Sequence, residues 1–340
     1  MDHNKTLSKQ NVLECVHKWG HGVIESILDP SCQIFSTPDV HGLIGYHMNR
    51  RCAVAYGDPV CAPQDREKLA HAFHEYCAKQ RKNVIYLAAS EDFAKWMHEE
   101  QSSGLISFGN ELFFDPQCNP REAPGKKAAV LRRNLKHAEK GAVVVKEYQD
   151  HVPEIEIKIQ DVATQWLKHR QGPQIYIAQS PLFHEKFGKR WFYAERDGQV
   201  IGCLALNRLE ARGGWALDRV MTVPQASPGT SEFLVVSVME ILAKENCRYL
   251  TIGPTNGKSL ETVAGFGKYT SLMIPFAFKA SLKIFKLHRR GQYWDKFSPC
   301  SSPAFIVVKN ASLGIHEIRG LMRTLNISFI NRSKRKDLSK

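Results

Sequence analysis

Four segments of this chain carry side chains whose types and spacing could do chemistry. The stretch LRRNLKHAEKGAVVV (131–145) crowds Arg132, Arg133, Lys136 and Lys140 together. At 100° per residue these four fall within about a quarter to a third of a helix circumference, with Leu131, Leu135 and Ala138 opposite. Cations arranged in this way bind a polyanion; the plainer alternative is a solvated linker helix. Glu232 stands at the start of an amphipathic run, where it either contacts a ligand or only complements the helix dipole. Thr255 and Asn256, in GPTNGKS, lie just past a strand end, where ligands sit in open α/β sheets, although Asn-Gly is also a turn signal. AFKASLKIFKLHRR (277–290) sets Phe278, Leu282 and Phe285 on one helix side, with Lys279, Lys283, Lys286, Arg289 and Arg290 around them. Such a helix can lie on an anionic bilayer, turn its lysines toward a nucleic acid, or pack in the core with a basic outer face.

The composition supports an anionic partner. The 340 residues carry a net charge of +13, which favours nucleic acid, phospholipid headgroups or a phosphorylated substrate. The length admits two domains of ordinary size. No run approaches the ~18 apolar residues of a membrane span, and the polar start lacks the pattern of a signal peptide. Nine cysteines fall in no CxxC pair, and fourteen histidines include no HExxH. The expectation is therefore reduced thiols in a cytoplasmic protein and no metal site.

The elements that must position these residues come twice. RWFYAERDGQVIGCLALNRL (190–209) is a hairpin about Asp197-Gly198. GGWALDRVMTV (213–223) follows as a strand, then a proline-bearing loop. SEFLVVSVMEILAKEN (231–246) is a helix, and CRYLTIGPT (247–255) a buried strand. Earlier, 40–60 reads as two strands, 62–80 as a helix and 82–90 as a buried strand. The interval Pro59–Tyr86 matches Val223–Leu250, as two diverged copies of one unit would. Strand–loop–helix–strand after an antiparallel hairpin is the core of the acetyltransferase-type (GNAT) fold. The expected class is α/β (α+β), with two tandem GNAT-like domains, each a mixed sheet flanked by helices. The predicted divisions are 1–123, a basic connecting helix 124–141, a catalytic unit 142–326 and a basic tail 327–340.

In that fold the loop before the helix binds the pyrophosphate of coenzyme A through backbone N–H groups. Here PQASPGTSEFL holds one glycine and no lysine or arginine, and Glu232 would repel phosphate. CAPQDREKL in the first copy holds Asp65 and Glu67 and no glycine. Both loops argue against an ordinary coenzyme A enzyme.

ALDRVMTVPQASPGTSEFLVVSVMEILAKENCRYLTIGPT resembles the core of the C-terminal domain of lysylphosphatidylglycerol synthases (multiple peptide resistance factors). LRRNLKHAEKGAVVV is similar to that domain's basic helix and following strand, AYGDPVCAP to its "GDPV" segment, and WDKFSPCSSPAFIVV to its lysine-bearing turn and last strand. These motifs run in order from about Tyr56 to Val308. The resemblance implies transfer of an amino acid from aminoacyl-tRNA to an acceptor hydroxyl or amine, above all a phospholipid such as phosphatidylglycerol. Fem-type peptidoglycan aminoacyltransferases use a similar double fold. The known synthases add membrane helices, so this chain is expected to be a free-standing catalytic unit in the cytoplasm, peripheral at the inner face of the membrane.

The resemblance also implies site residues. Asp218 matches a family aspartate that could anchor the ammonium or side chain of the transferred amino acid; pairing with Arg219 is the alternative. The family's arginine three positions later is Met221 here, which leaves Arg219 as the nearby cation. Lys296 matches a family lysine that could neutralise phosphate or assist the oxyanion. An aminoacyl ester is already activated, so no cofactor beyond aminoacyl-tRNA as co-substrate is expected. The chemistry then reduces to binding tRNA, orienting the acceptor and stabilising the tetrahedral oxyanion. Two other classes compete: an acyl-CoA-dependent N-acyltransferase, and a non-catalytic tRNA- or membrane-binding module.

Overall fold

A computed structural model describes residues 7–149, 152–169, 182–183, 185–285 and 288–325. The predicted tail 327–340 and Lys286 lie outside the described residues. In chain order the elements are α1 (Lys9–Trp19), α2 (Ile24–Leu28), β1 (Gln33–Thr37), β2 (Val40–Met48), β3 (Cys52–Tyr56), β4 (Val60–Cys61), α3 (Arg66–Lys79), β5 (Asn83–Ala89), α4 (Glu91–Glu99), β6 (Gly104–Phe114), α5 (Lys126–Lys140), β7 (Val144–Tyr148), α6 (Pro153–His169), β8 (Lys189–Arg196), β9 (Gln199–Leu209), β10 (Gly214–Thr222), α7 (Thr230–Lys244), β11 (Leu250–Asn256), β12 (Val263–Ala264), α8 (Lys268–Phe285), α9 (His288–Trp294), β13 (Cys300–Val308) and α10 (Ile315–Thr324).

The described strands form one mixed sheet, not two. From edge to edge its order is β1-β2-β3-β5-β13-β6-β11-β10-β9-β8-β7, with β12 beside β6 and β4 beside β2. The expectation of a separate sheet for each half is corrected by β13. This last strand inserts antiparallel between β5 and β6, Phe305 meeting Ala89 on one side and Ser107 on the other. Outward from the β13–β6 pair, β5, β3 and β2 on one side answer β11, β10 and β9 on the other. Each side holds one parallel pair, β3–β5 and β10–β11, and a parallel pair needs a crossover, which α3 and α7 supply.

Local sequence accounts for the elements around the site. Asp197 and Gly198 both have positive φ (51° and 74°), as the two-residue turn joining β8 to β9 requires. α7 buries Leu234, Val235, Val236, Val238, Met239 and Leu242 and so lies deep against the sheet. α5 docks through Ala128, Leu131, Leu135 and Ala138, the apolar side expected from its sequence. α5, α6 and α7 share a core with β8–β10 on one sheet face, whereas residues of α1 and α2 belong to a different core with Leu209 of β9 and Ala216 of β10.

Candidate functional site

The two parallel pairs differ in a way that opens a site. β3 and β5 stay registered over five residue pairs, Cys52–Asn83 to Tyr56–Leu87. β10 and β11 are registered only at Trp215–Leu250 and Ala216–Thr251. Immediately after that, β10 bulges. Leu217 faces Leu206 and Arg219 faces Ala205, leaving Asp218 as the extra residue. Successive side chains of a regular strand point to opposite faces; a bulge re-aims one of them. Here Arg219 Nε therefore donates to Oδ1 of its neighbour Asp218 at 3.1 Å.

Two further elements converge on this pair. Glu25, from α2, accepts from Lys189 Nζ of β8 at 3.2 Å and from Asn207 Nδ2 of β9, and lies 3.9 Å from Arg219. The cluster is largely shielded from solvent: the Asp218 side chain is 8% exposed and that of Arg219 12%. Burial, reinforced by the Glu25 carboxylate, pushes the Asp218 carboxyl up to about 6, against the opposing pull of Arg219 and Lys189. The cluster borders a cavity of about 300 Å³ whose other wall is apolar, with Val12, Leu13, Ile27, Leu28 and Ile34. Among the described residues its lining holds the carboxylates of Glu25, Asp29, Glu185 and Asp218 and the cations Lys9, Lys189 and Arg219. The largely shielded Asp218 carboxylate in that wall suits a ligand bearing an ammonium group.

Asp218 and Arg219 are thus brought together in a cavity wall. Met221, where the resembling family has arginine, is 1% exposed in the core shared with α7; Arg219 supplies the cation beside the aspartate. Glu25, Lys189 and Asn207 were not anticipated. The available signals were weak: a lone acid in the apolar run VIESIL and a lone amide in CLALNRL.

Glu232 and Lys296 also meet, but away from that cavity's lining. Lys296 Nζ donates to Glu232 Oε1 at 2.5 Å, and Asn134 Nδ2 of α5 donates to the same oxygen at 2.8 Å. Ser231 Oγ donates to Oε2 at 2.7 Å. Burial alone would raise the Glu232 carboxyl, yet these hydrogen bonds, led by that from Lys296, hold it below the ordinary carboxylate range. Lys296 also lies 3.9 Å from the Tyr293 ring centroid, a cation–π contact. The structure brings these two residues, expected as a substrate-binding and a catalytic residue, into one ion pair that links α7 to the 3₁₀ turn Asp295–Phe297, while Asn134 links α7 to α5. The start of α7 is closed further at Gly229 (φ 86°): a Cβ there would lie 2.0 Å from Asn134 O. A carboxylate and two donors from neighbouring elements thus meet at the first turn of α7.

The remaining predicted residues divide by environment. Thr255 Oγ1 donates to Asn110 O at 3.1 Å, and Asn256 is paired in register with Gly109; neither lines the cavity. On α5, Arg133, Lys136 and Lys140 are exposed. Arg132 is not free: Nη1 donates to Arg121 O at 3.0 Å and Ala123 O at 2.8 Å, so it ties down the preceding loop. The helix expected at 277–290 begins nine residues earlier, at Lys268, and carries Pro275 within it. Phe278 and Leu282 are half-buried and Lys283 is exposed. No group of three or more metal-ligating side chains occurs among the described residues, and no described helix is long and apolar enough to cross a membrane.

Comparison with known proteins identifies the family of the chain. Residues 27–307 match the family described as phosphatidylglycerol lysyltransferase, C-terminal. The C-terminal domain assigned to lysylphosphatidylglycerol synthetase in Agrobacterium fabrum superposes with a TM-score of 0.72 at 18% identity, covering 92% of this chain and 94% of that one. L-PGS from Bacillus licheniformis gives 0.76 at 12% identity, covering 96% and 99%. A conserved protein of unknown function from Bacteroides thetaiotaomicron gives 0.59 at 10% identity, covering 90% and 98%. No curated protein sequence matches the chain.

Proposed function

Because the chain belongs to the phosphatidylglycerol lysyltransferase C-terminal family, we propose that it is an aminoacyltransferase that moves an amino acid from aminoacyl-tRNA to a phospholipid hydroxyl such as that of phosphatidylglycerol. The observation that carries this reading is the largely shielded Asp218–Arg219–Glu25–Lys189 cluster at the β10 bulge, which borders a cavity with an apolar opposite wall. In this reading Asp218 receives the ammonium of the aminoacyl group. Arg219, Lys189 and Glu25 hold the carboxylate in place, and the apolar wall accommodates the aliphatic part. The acceptor oxygen attacks the ester carbonyl; a new ester C–O bond forms, the bond to the tRNA ribose oxygen breaks, and the acceptor's proton passes to that leaving oxygen. One ester replaces another, so the donor's own activation drives the step and the protein contributes orientation and charge.

The halves on either side of the β13–β6 pair are in this reading two GNAT-like copies that share a sheet, with α5 as the joint between them. Exposed Arg133, Lys136 and Lys140 on that joint face the polyanionic donor. The closed start of α7, filled by Glu232, Lys296 and Asn134, counts against coenzyme A as donor. The test mixes purified protein with tRNA charged with radiolabelled amino acids and detergent-dispersed phosphatidylglycerol. Label entering the lipid extract is expected. Label that stays on tRNA with every amino acid and lipid would refute the reading, and a melting temperature raised by coenzyme A would favour the acyl-CoA alternative.

A further inference from the structure

α8 presents its apolar side to the outside. Of the twelve large apolar side chains that stand exposed among the described residues, four lie on this helix: Tyr269, Leu272, Met273 and Phe276, at 89, 65, 62 and 64%. At about 100° per residue they share one stripe, with Ala277 and Ala280 extending it. Ile274, Phe278 and Leu282 face the other way; Ile274 is buried, and the other two are half-buried. A helix on the surface of a globular protein normally turns its polar face outward; here the outward half is apolar over more than three turns. Lys268 and Lys279 lie along one edge of that half, and Lys283 in its last turn. The helix contains no Asp or Glu.

From this we infer that α8 is a membrane-docking element, which lies in the plane of an anionic bilayer with Tyr269, Leu272, Met273 and Phe276 in the interface and the three lysines at headgroup level. An apolar stripe bordered by lysine is what the interface selects, and each cation near an anionic surface adds to the attraction. A second copy of the chain suits the stripe less well. Two such faces meeting about a two-fold axis would set lysines against lysines with no carboxylate from either helix to compensate. The inference concerns how the chain reaches a bilayer and does not depend on what it transfers there.

The test is flotation with vesicles of equal parts phosphatidylglycerol and phosphatidylcholine, beside vesicles of phosphatidylcholine alone. The wild-type chain is expected to float with the anionic vesicles. Leu272→Glu/Phe276→Glu should lower binding at least about tenfold, since two apolar side chains no longer enter the interface. Lys279→Gln/Lys283→Gln should bring binding on anionic vesicles down toward that on phosphatidylcholine. Tyr269→Ser/Met273→Ser, a milder change, should move the first result in the same direction, and circular dichroism checks that each variant is folded. Unchanged flotation of Leu272→Glu/Phe276→Glu would overturn the inference. So would a wild-type dimer in light scattering that this variant converts to monomer without any vesicle binding. Transfer to short-chain phosphatidylglycerol below its micelle concentration should persist in Leu272→Glu/Phe276→Glu; absence of transfer to every acceptor in the wild type would refute the transfer reading and leave the docking result standing.

Discussion

Neutralising Asp218 should change both the strength and the pH dependence of amino-acid binding. With its carboxyl pushed up to about 6 by burial and Glu25, Asp218 is about nine-tenths ionised at pH 7 and about one-tenth at pH 5. A ligand ammonium, itself charged throughout this window, needs the ionised form. Binding of an amino-acid amide, as a mimic of the aminoacyl ester, should therefore weaken about tenfold from pH 7 to pH 5. Asp218→Asn forfeits a buried charge-assisted hydrogen bond of about 1.5–3 kcal/mol, so its binding at pH 7 should be about ten- to a hundred-fold weaker and nearly flat with pH. Linkage gives a companion effect. A raised carboxyl destabilises the free protein at pH 7 by about 3 kcal/mol, and this penalty is relieved as pH falls through about 6 toward its ordinary value of 3.8. Calorimetric titration at several pH values measures the binding. A wild-type affinity that is flat between pH 7 and 5, or an Asp218→Asn variant with the wild-type slope, would refute the assignment.

The neighbouring charges give further tests. Glu25→Gln removes the carboxylate that helps to raise Asp218 and that holds Lys189. The pH midpoint of binding should move below 6, and denaturant titration should find a loss on the order of 3 kcal/mol from the uncompensated cations. Lys296→Met leaves Glu232 buried without its main partner and should cost about 3–5 kcal/mol. The carboxyl of Glu232 is held below its ordinary 4.5, so this stabilisation is present above 4.5 and should vanish as pH falls through the lowered folded value. The double variant Glu232→Met/Lys296→Met should be less destabilised than the two single losses added together, and additivity in that cycle would deny the ion pair. Arg133→Gln/Lys136→Gln/Lys140→Gln should reduce the salt slope of tRNA binding by about 2–3 with the melting temperature unchanged. Arg132→Gln should instead lower the melting temperature through loss of its bonds to Arg121 O and Ala123 O.

Local pattern made much of the fold legible. The Asp197-Gly198 turn, the apolar side of α5 and both strand–helix–strand units stand where composition and periodicity place them. Pairing between distant segments was not legible. Nothing in CSSPAFIVV says that it enters the sheet between β5 and β6, because a buried strand's apolar run is compatible with many neighbours. The candidate site divides in the same way. The Asp218–Arg219 pair was visible as adjacent charges. The bulge that turns both side chains to one face depends on register with β9, and Glu25 arrives from about two hundred residues away in sequence. Glu232 and Lys296 look like separate candidates in the sequence because only the packing of α7 against the Asp295–Phe297 turn makes them partners. For α8, Pro275 obscured the true start, and exposure, not periodicity, reveals which of its two apolar sides faces out.

The structure of the protein with a bound amino-acid amide tests the central claim most directly. The account predicts the ligand in the cavity beside the β10 bulge, with its ammonium within hydrogen-bonding distance of an Asp218 carboxylate oxygen and its aliphatic part against the apolar wall of α1 and α2. A ligand seated instead among Glu232, Lys296 and Asn134, or a cavity that stays empty at saturating amide while transfer activity is present, would contradict it.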